Sequence, residues 1–271
     1  MKIAIITPTF ERPEGLLTLH RSIRAQEGDV CVRHYIVDDG STCDYGPTLL
    51  RMAEQGDAAF LYRKITNAGP CAARNVAMDL AAADGATHVA FVDDDDTLLP
   101  GALAAFRHRL EEDPSRLWLR FRGETGRDTR HKWPDEPVVA SWFHDVALFG
   151  SPYGGDNCSL LDLRFVGGTR FSRRGRTHRE WTFFLRMCRK SDVVTVCPET
   201  VVRLHYRTDG LTLSRPSLAA QTLRGIGFAQ KAAHYFLHDP RSLGPMLAAA
   251  RHSLATKLAR STQTAASRSG K

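Results

Sequence analysis

The sequence predicts an α/β fold built on a mostly parallel sheet flanked by helices, with amphipathic helices following at the C-terminal end. Three observations predict it. In residues 1–113 short apolar runs alternate with segments whose apolar residues recur at helical spacing, and each apolar run ends in a polar cluster bearing glycine, proline or acid. The 271 residues, 42% hydrophobic and 25% charged, also hold enough apolar content for a sizeable core.

The elements follow in order. "KIAIIT" reads as a buried strand. After Pro13, the residues Leu16, Leu19 and Ile23 recur at i, i+3 and i+7, as one face of a helix requires. "VRHYIVDDGS" is a second strand that runs into acid and glycine, a helix is expected near 44–56, and "AFLYRK" is the third strand. "NAGPCAARNVAMDLAAADG" opens a helix near Pro70, with Ala72, Val76 and Leu80 on one face and Gly85 at its close. "THVAFV" is the fourth strand and "PGALAAFRHRLEED" the helix after it. Alternation of this kind implies a largely parallel sheet covered on both faces. Ligands of such sheets sit outside the carboxyl ends of the strands. The clusters "TPTFER", "DDGST", "NAGPCAARN" and "DDDD" all fall there.

The second part is less regular. Residues 114–150 hold short strand candidates such as "LWLRF" with polar turns between them, and "THREWTFFLRMCRK" (177–190), within the 114–215 part, reads as a helix with Trp181, Phe184, Leu185 and Cys188 as its buried stripe. Within 216–261, "SLAAQTLRGIGFAQKAAHYFL" and "PMLAAARHSLATKLAR" read as two mildly basic amphipathic helices, and residues 262–271 as a disordered tail. Such helices serve core packing or dimerisation, peripheral attachment to a membrane, or contact with an acidic partner.

Charge divides the chain. Residues 1–113 carry 11 Lys and Arg against 18 Asp and Glu, while residues 114–271 carry 26 against 12. An acidic first part argues against nucleic-acid coating; a basic second part suits phosphates, an anionic substrate or an acidic membrane surface. No apolar stretch approaches the roughly 18 residues that span a bilayer, and "MKIAIITPTF" is too soon broken by Pro8 to be a secretory signal. The cytoplasm, including the inner face of its membrane, is the expected compartment. Six cysteines without a C-x-x-C pair suit reduced thiols.

Neither G-x-G-x-x-G nor G-x-x-x-x-G-K-[ST] occurs, so a phosphate at this sheet needs another source of positive charge. The run Asp93 to Asp96 offers one. Neighbouring carboxylates at about 4 Å repel by roughly 4 kcal/mol at an effective dielectric near 20, which favours either protonation or a bound cation. Hard oxygen ligands select Mg²⁺ or Mn²⁺, which keep open positions for phosphates. The alternative is a solvated turn in which Asp96 or Thr97 caps the next helix.

"IAIITPTFER", "YIVDDGSTCD", "NAGPCAARN" and "FVDDDDTLLP", in this order and spacing, resemble the nucleotide-binding half of family 2 glycosyltransferases with the Rossmann-like GT-A fold, whose pattern runs roughly IIPTYNR, VDDGSTD, NxGxxxARN, FLDxDD. The resemblance covers residues 1 to about 113. It implies that Pro8, Thr9 and Glu11 line the nucleoside pocket, Glu11 replacing a frequent asparagine, and that Asp39 accepts a hydrogen bond from uracil. Asn67 and Arg74 would lie near the base or diphosphate, or else structure the turn and helix start. Asp93 and Asp94 would approach the ribose and diphosphate, Asp95 would ligate Mn²⁺ or Mg²⁺, and Asp96 would cap the following helix.

The same resemblance extends to the acceptor half. "VGGTRF" followed by "THREWTFF" is similar to the family's G-G-F…E-D-W segment, which makes Glu180 the general base, provided burial against Trp181 lifts its pKa. Arg179 stands where the family often has a second acid, and Asp156 and His178 are substitutes for the base. "VVRLHYRTDGLTLSR" is similar to the family's YRxHxxSxS segment, so His205 would complete the metal shell or bond the departing diphosphate, with Arg203 or Arg207 adding charge. The loops around "RFSRRGRTHR" would close over the donor. The implied activity is inverting transfer from a nucleotide-diphosphate sugar, UDP by resemblance, to a hydroxyl-bearing acceptor, for which an anionic or a lipid-linked molecule is a candidate. Rivals are a sugar-1-phosphate nucleotidyltransferase, which needs a glycine- and arginine-rich first loop, and a non-catalytic nucleotide or polyanion binder.

Overall fold

A computed structural model of the chain describes residues 1–28, 30–54, 60–125, 133–142, 145, 157–172 and 179–205, the side chains of 157 and 179–182 excepted. The two C-terminal helices and the tail, together with Asp156, His178, Arg207 and the 173–178 part of the closing loop, lie outside the described residues.

The expected alternation is present: β1 (Lys2–Thr9), α1 (Pro13–Arg24), β2 (Cys31–Asp38), α2 (Gly46–Ala53), β3 (Phe60–Lys64), α3 (Pro70–Ala83), β4 (His88–Phe91), β5 (Thr97–Leu98) and α4 (Ala102–Glu112). The second part adds β6 (Trp118–Thr125), β7 (Val138–Ser141), β8 (Asn157–Asp162), α5 (Leu163–Val166), α6 (Arg179–Cys188) and β9 (Val193–Leu204). One sheet carries both parts, in the order β3-β2-β1-β4-β8-β6-β9-β5 with β7 on β9. The strands from β3 to β4 are parallel. Beyond them the sheet is mixed, since β8 runs antiparallel to both β4 and β6 while β6 and β9 are parallel.

β1 is buried on both faces, so its side chains divide by period two: Ala4 and Ile6 enter one core, Ile3 and Ile5 the other. β6 and β8 divide likewise, with Trp118 and Leu161 in the first core and Leu119, Phe121 and Leu160 in the second. Three details differ from the sequence reading. The buried face of α3 carries Ala73, Ala77, Met78 and Ala81, whereas Val76 and Leu80 are only half-buried, because alanines allow α3 to lie close on β1 and β2. Among the described side chains of α6, which do not include Trp181, the fully buried ones are Phe183 and Met187, with the expected Leu185 and Cys188 also buried and Phe184 half-buried. α4 begins at Ala102 behind a left-handed Gly101, so neither Asp96 nor Thr97 caps it; a residue with φ of 81° is glycine's place.

Register puts the strand ends in one row. Thr9 pairs with Asp38, Asp38 with Lys64, and Ile6 with Phe91. The four loops after these strands therefore emerge side by side. Below them a buried chain supports the fourth loop: the Thr7 hydroxyl donates to the Val92 carbonyl at 2.8 Å, so it must accept from His34 Nε2 at 2.9 Å. His34 Nδ1 then accepts from His20 Nδ1 at 3.2 Å. Burial holds both imidazoles neutral, lowering His20 to about 4 and His34 well below its ordinary value.

Candidate functional site

The second loop is held by the carboxylates of Asp38 and Asp39. Asp39 is buried, and its two carboxylate oxygens accept the backbone N–H groups of Ala68 and Gly69, each at 2.8 Å. Gly40 adopts φ of 81°, and a Cβ there would stand 2.7 Å from the Asn67 backbone nitrogen, so glycine is what lets the second and third loops meet. Asp38, wholly buried, accepts from the Ser41 hydroxyl at 2.6 Å and from the Tyr62 hydroxyl at 2.7 Å.

Glu11 joins the first loop to the second. Its carboxylate accepts from the Thr42 hydroxyl at 2.9 Å and from the backbone N–H groups of Thr42 and Cys43, and its own N–H donates to the Ser41 hydroxyl at 2.8 Å. Its φ of 56° lies where asparagine is tolerated and glutamate is rare; these hydrogen bonds hold it there. The same bonds lower its pKa to about 2, the Thr42 N–H foremost. Pro8 and Thr9 are buried at the end of β1. The Thr9 hydroxyl shares a 2.7 Å bond with the Tyr45 hydroxyl and donates at 2.7 Å to Asp94. Thr9 and Asp94, both expected at the nucleotide, thus face each other beneath the loops. Phe10, next in sequence, is 47% exposed.

The four aspartates differ. Asp93, about half-exposed, is paired with Arg74, whose guanidinium is buried at the start of α3 and lies over the Phe171 ring at 5.8 Å. Asp94 is buried, and desolvation pushes its pKa up to about 6 despite the opposing pull of Thr9 and Arg12. Asp95 is partly exposed and accepts from Arg12 Nη1 at 2.8 Å. Asp96 accepts the His205 backbone N–H at 3.1 Å, and burial, reinforced by the charge of Asp93, pushes its pKa up to about 8. That contact exists because β9 ends against the aspartate loop, where Arg203 pairs with Thr97 across the ladder. The His205 ring is exposed, with Nε2 3.3 Å from the Thr97 hydroxyl, while the Arg203 guanidinium turns to Glu124 at 2.6 Å.

Asp93 and Asp96 line a cavity of about 210 Å³ with Arg74, Phe91, Phe171 and Phe184. Phe171 belongs to the glycine-bearing segment before α6 and stacks on Phe183 at 4.2 Å. Asn75 fixes it: the side-chain amide donates to the Phe171 carbonyl at 3.0 Å and accepts its N–H at 2.8 Å. The sequence reading missed this clamp, and the signal available was the polar asparagine closing "NAGPCAARN" on a helix of alanines. It also missed Arg12, Tyr45 and Tyr62. Glu180 occupies the first turn of α6, one turn before Phe184.

Asp93 and Asp95 are oxygen donors two residues apart, which fits a hard divalent ion that needs only one or two protein carboxylates. Among the described residues, no group of three or more His, Cys, Asp or Glu side chains is gathered for a metal ion. The described helices include none long and apolar enough to cross a membrane.

Solved structures share this architecture. TarS 1-349 from S. aureus in complex with UDP-GlcNAc aligns with a TM-score of 0.67 over 91% of this chain and 72% of that one. The UDP complex of the same fragment aligns at 0.61 over 77% of this chain and 61% of that one, and TarS itself at 0.60 over 77% and 37%. Sequence identity is 19% in each, so the fold is what they share, and this chain spans about two-fifths of TarS. No curated protein sequence matches the chain. The model of "Glycosyl transferase family 2" matches residues 4–185, which take in all four strand-end loops and the first turns of α6: the chain belongs to glycosyl transferase family 2.

Proposed function

We propose that the protein transfers a sugar from a nucleoside-diphosphate sugar, UDP being the nucleotide, to an acceptor hydroxyl with inversion at the anomeric carbon. The observation that carries this reading is the Asp39 carboxylate, held by two backbone amides, with its own N–H on the Thr9 carbonyl at 2.9 Å next to the exposed Phe10, and within one loop row of the aspartate run. Each Asp39 oxygen has a lone pair left, and a fixed acceptor at that point suits the imide N–H of uracil. Phe10 offers the base an apolar face, and Asn67, exposed on the third loop, lies alongside. TarS has been solved with UDP and with UDP-GlcNAc, which supports the same nucleotide here.

Arg74 and Asp93 border the cavity in which the sugar would lie, with Phe91, Phe171 and Phe184 as its aromatic wall. Asp95 would hold a divalent ion, which when bound supplies positive charge for the departing diphosphate. The acceptor oxygen attacks the anomeric carbon as the bond to the diphosphate oxygen breaks, and the electron pair leaves with the diphosphate. Glu180 takes the hydroxyl proton. One displacement from the face opposite the leaving group inverts the centre. His205, directly after β9, would bond the diphosphate or the ion.

Hydrogen exchange of the full chain with and without UDP and Mn²⁺ tests the donor site. Protection is expected in residues 39–42, 67–69 and 93–96. Bound UDP that leaves these amides unprotected, or protects only the basic second part, contradicts it.

A further inference from the structure

We propose that Arg12 is a resident cation of the aspartate loop: its guanidinium occupies Asp95 until a divalent ion displaces it, and Asp94 keeps it tethered afterwards. This rests on the reading of Asp95 as the metal ligand. Arg12 Nη1 lies 2.8 Å from Asp95 Oδ2 and 3.1 Å from Asp94 Oδ1, so one nitrogen bridges both carboxylates. A guanidinium at that distance already supplies one of the two positive charges that a divalent ion would bring. An ion coordinating the same oxygen must expel it.

The surroundings settle which partner moves. Asp94 is fixed from below by the Thr9 hydroxyl at 2.7 Å, and the Val92 carbonyl by Thr7 at 2.8 Å. Gly15, in the first turn of α1, packs so closely that a Cβ there would stand 2.5 Å from the Asp94 carbonyl oxygen. The aspartate loop therefore has no room to shift toward α1, and Thr9 and Thr7 hold it from below. The Arg12 backbone is fixed too, its N–H donating to the Tyr45 hydroxyl at 2.9 Å. What remains free to turn is the long, partly exposed Arg12 side chain. Asp94 is buried and committed to Thr9 on one oxygen, so its other oxygen serves Arg12 and not the ion. A partly exposed ion pair is modest in strength, so the pairing raises the ion concentration needed and does not block binding.

The test is Mn²⁺ binding to the nucleotide-free full chain, read from the free-Mn²⁺ resonance signal, for the wild type, Arg12→Met, Arg12→Lys and Asp95→Asn. Arg12→Met is expected to bind Mn²⁺ about fivefold more tightly, and its melting temperature to rise more on adding Mn²⁺ than that of the wild type. Arg12→Lys, whose compact ammonium cannot span two carboxylates as well, should fall between them and serves alone if Arg12→Met does not fold. Arginine variants that bind Mn²⁺ no better than wild type, while Asp95→Asn loses binding, overturn the role of Arg12 and leave Asp95 as the ligand. Wild-type binding by Asp95→Asn overturns the reading of Asp95, and the proposal with it.

Discussion

Glu180→Gln is expected to lower transfer about a thousandfold while leaving UDP affinity within about twofold of wild type. General-base removal of a proton is commonly worth 10²–10⁴ in rate, of which about 10³ is the middle, and glutamine preserves shape without accepting the proton. Glu180 lies in the first turn of α6, one turn before Phe184, which lines the cavity with Asp93 and Asp96. Because Glu180 would act on the acceptor and not on the donor, the donor KM should stay nearly constant as kcat falls, and the acidic limb of the rate profile should flatten. Steady-state kinetics at several pH values check this. Near-normal turnover would pass the role to Asp156 or His178, the other candidate bases of the second part.

Asp39→Ala is the second large effect. It removes an acceptor from the Ala68 and Gly69 N–H groups at once, and both ends of the contact between the second and third loops lose their shape. These amides are not deeply buried, so the stability cost should be about 1–2 kcal/mol. UDP affinity should fall roughly 30-fold, since a hydrogen bond to a charged acceptor is lost together with the geometry that aims it. Asp39→Asn is expected to do little better, because its NH₂ turns a donor toward one of two donors. Calorimetric titration with UDP and a thermal melt separate the two costs; unchanged UDP affinity with a lowered melting point would leave Asp39 a loop-shaping residue.

The first half of the fold was legible because its information is local. Apolar runs ended in polar clusters, and a parallel sheet puts every such cluster on one edge, as the register of Thr9, Asp38 and Lys64 bears out. The mixed second half was not legible, since the insertion of β8 between β4 and β6 depends on pairings far apart in sequence. The aspartate run shows the same limit at the scale of single residues. Charge and pattern marked four carboxylates as special, yet their division of labour is set by what lies behind each. Asp94 is buried against Thr9 and Arg12, and Asp96 meets the end of a strand about a hundred residues later and not the helix that follows it. The Asn75 clamp on Phe171 is likewise invisible without the approach of two distant segments.

The most direct test of the central claim is release of nucleoside diphosphate from a panel of nucleotide sugars incubated with the full chain and Mn²⁺ or Mg²⁺. UDP release from at least one UDP-sugar, lost in Asp95→Asn, is the expected result. Contradiction would come as pyrophosphate release from UTP and a sugar 1-phosphate, the mark of a nucleotidyltransferase, or as nucleotide binding with no release from any donor.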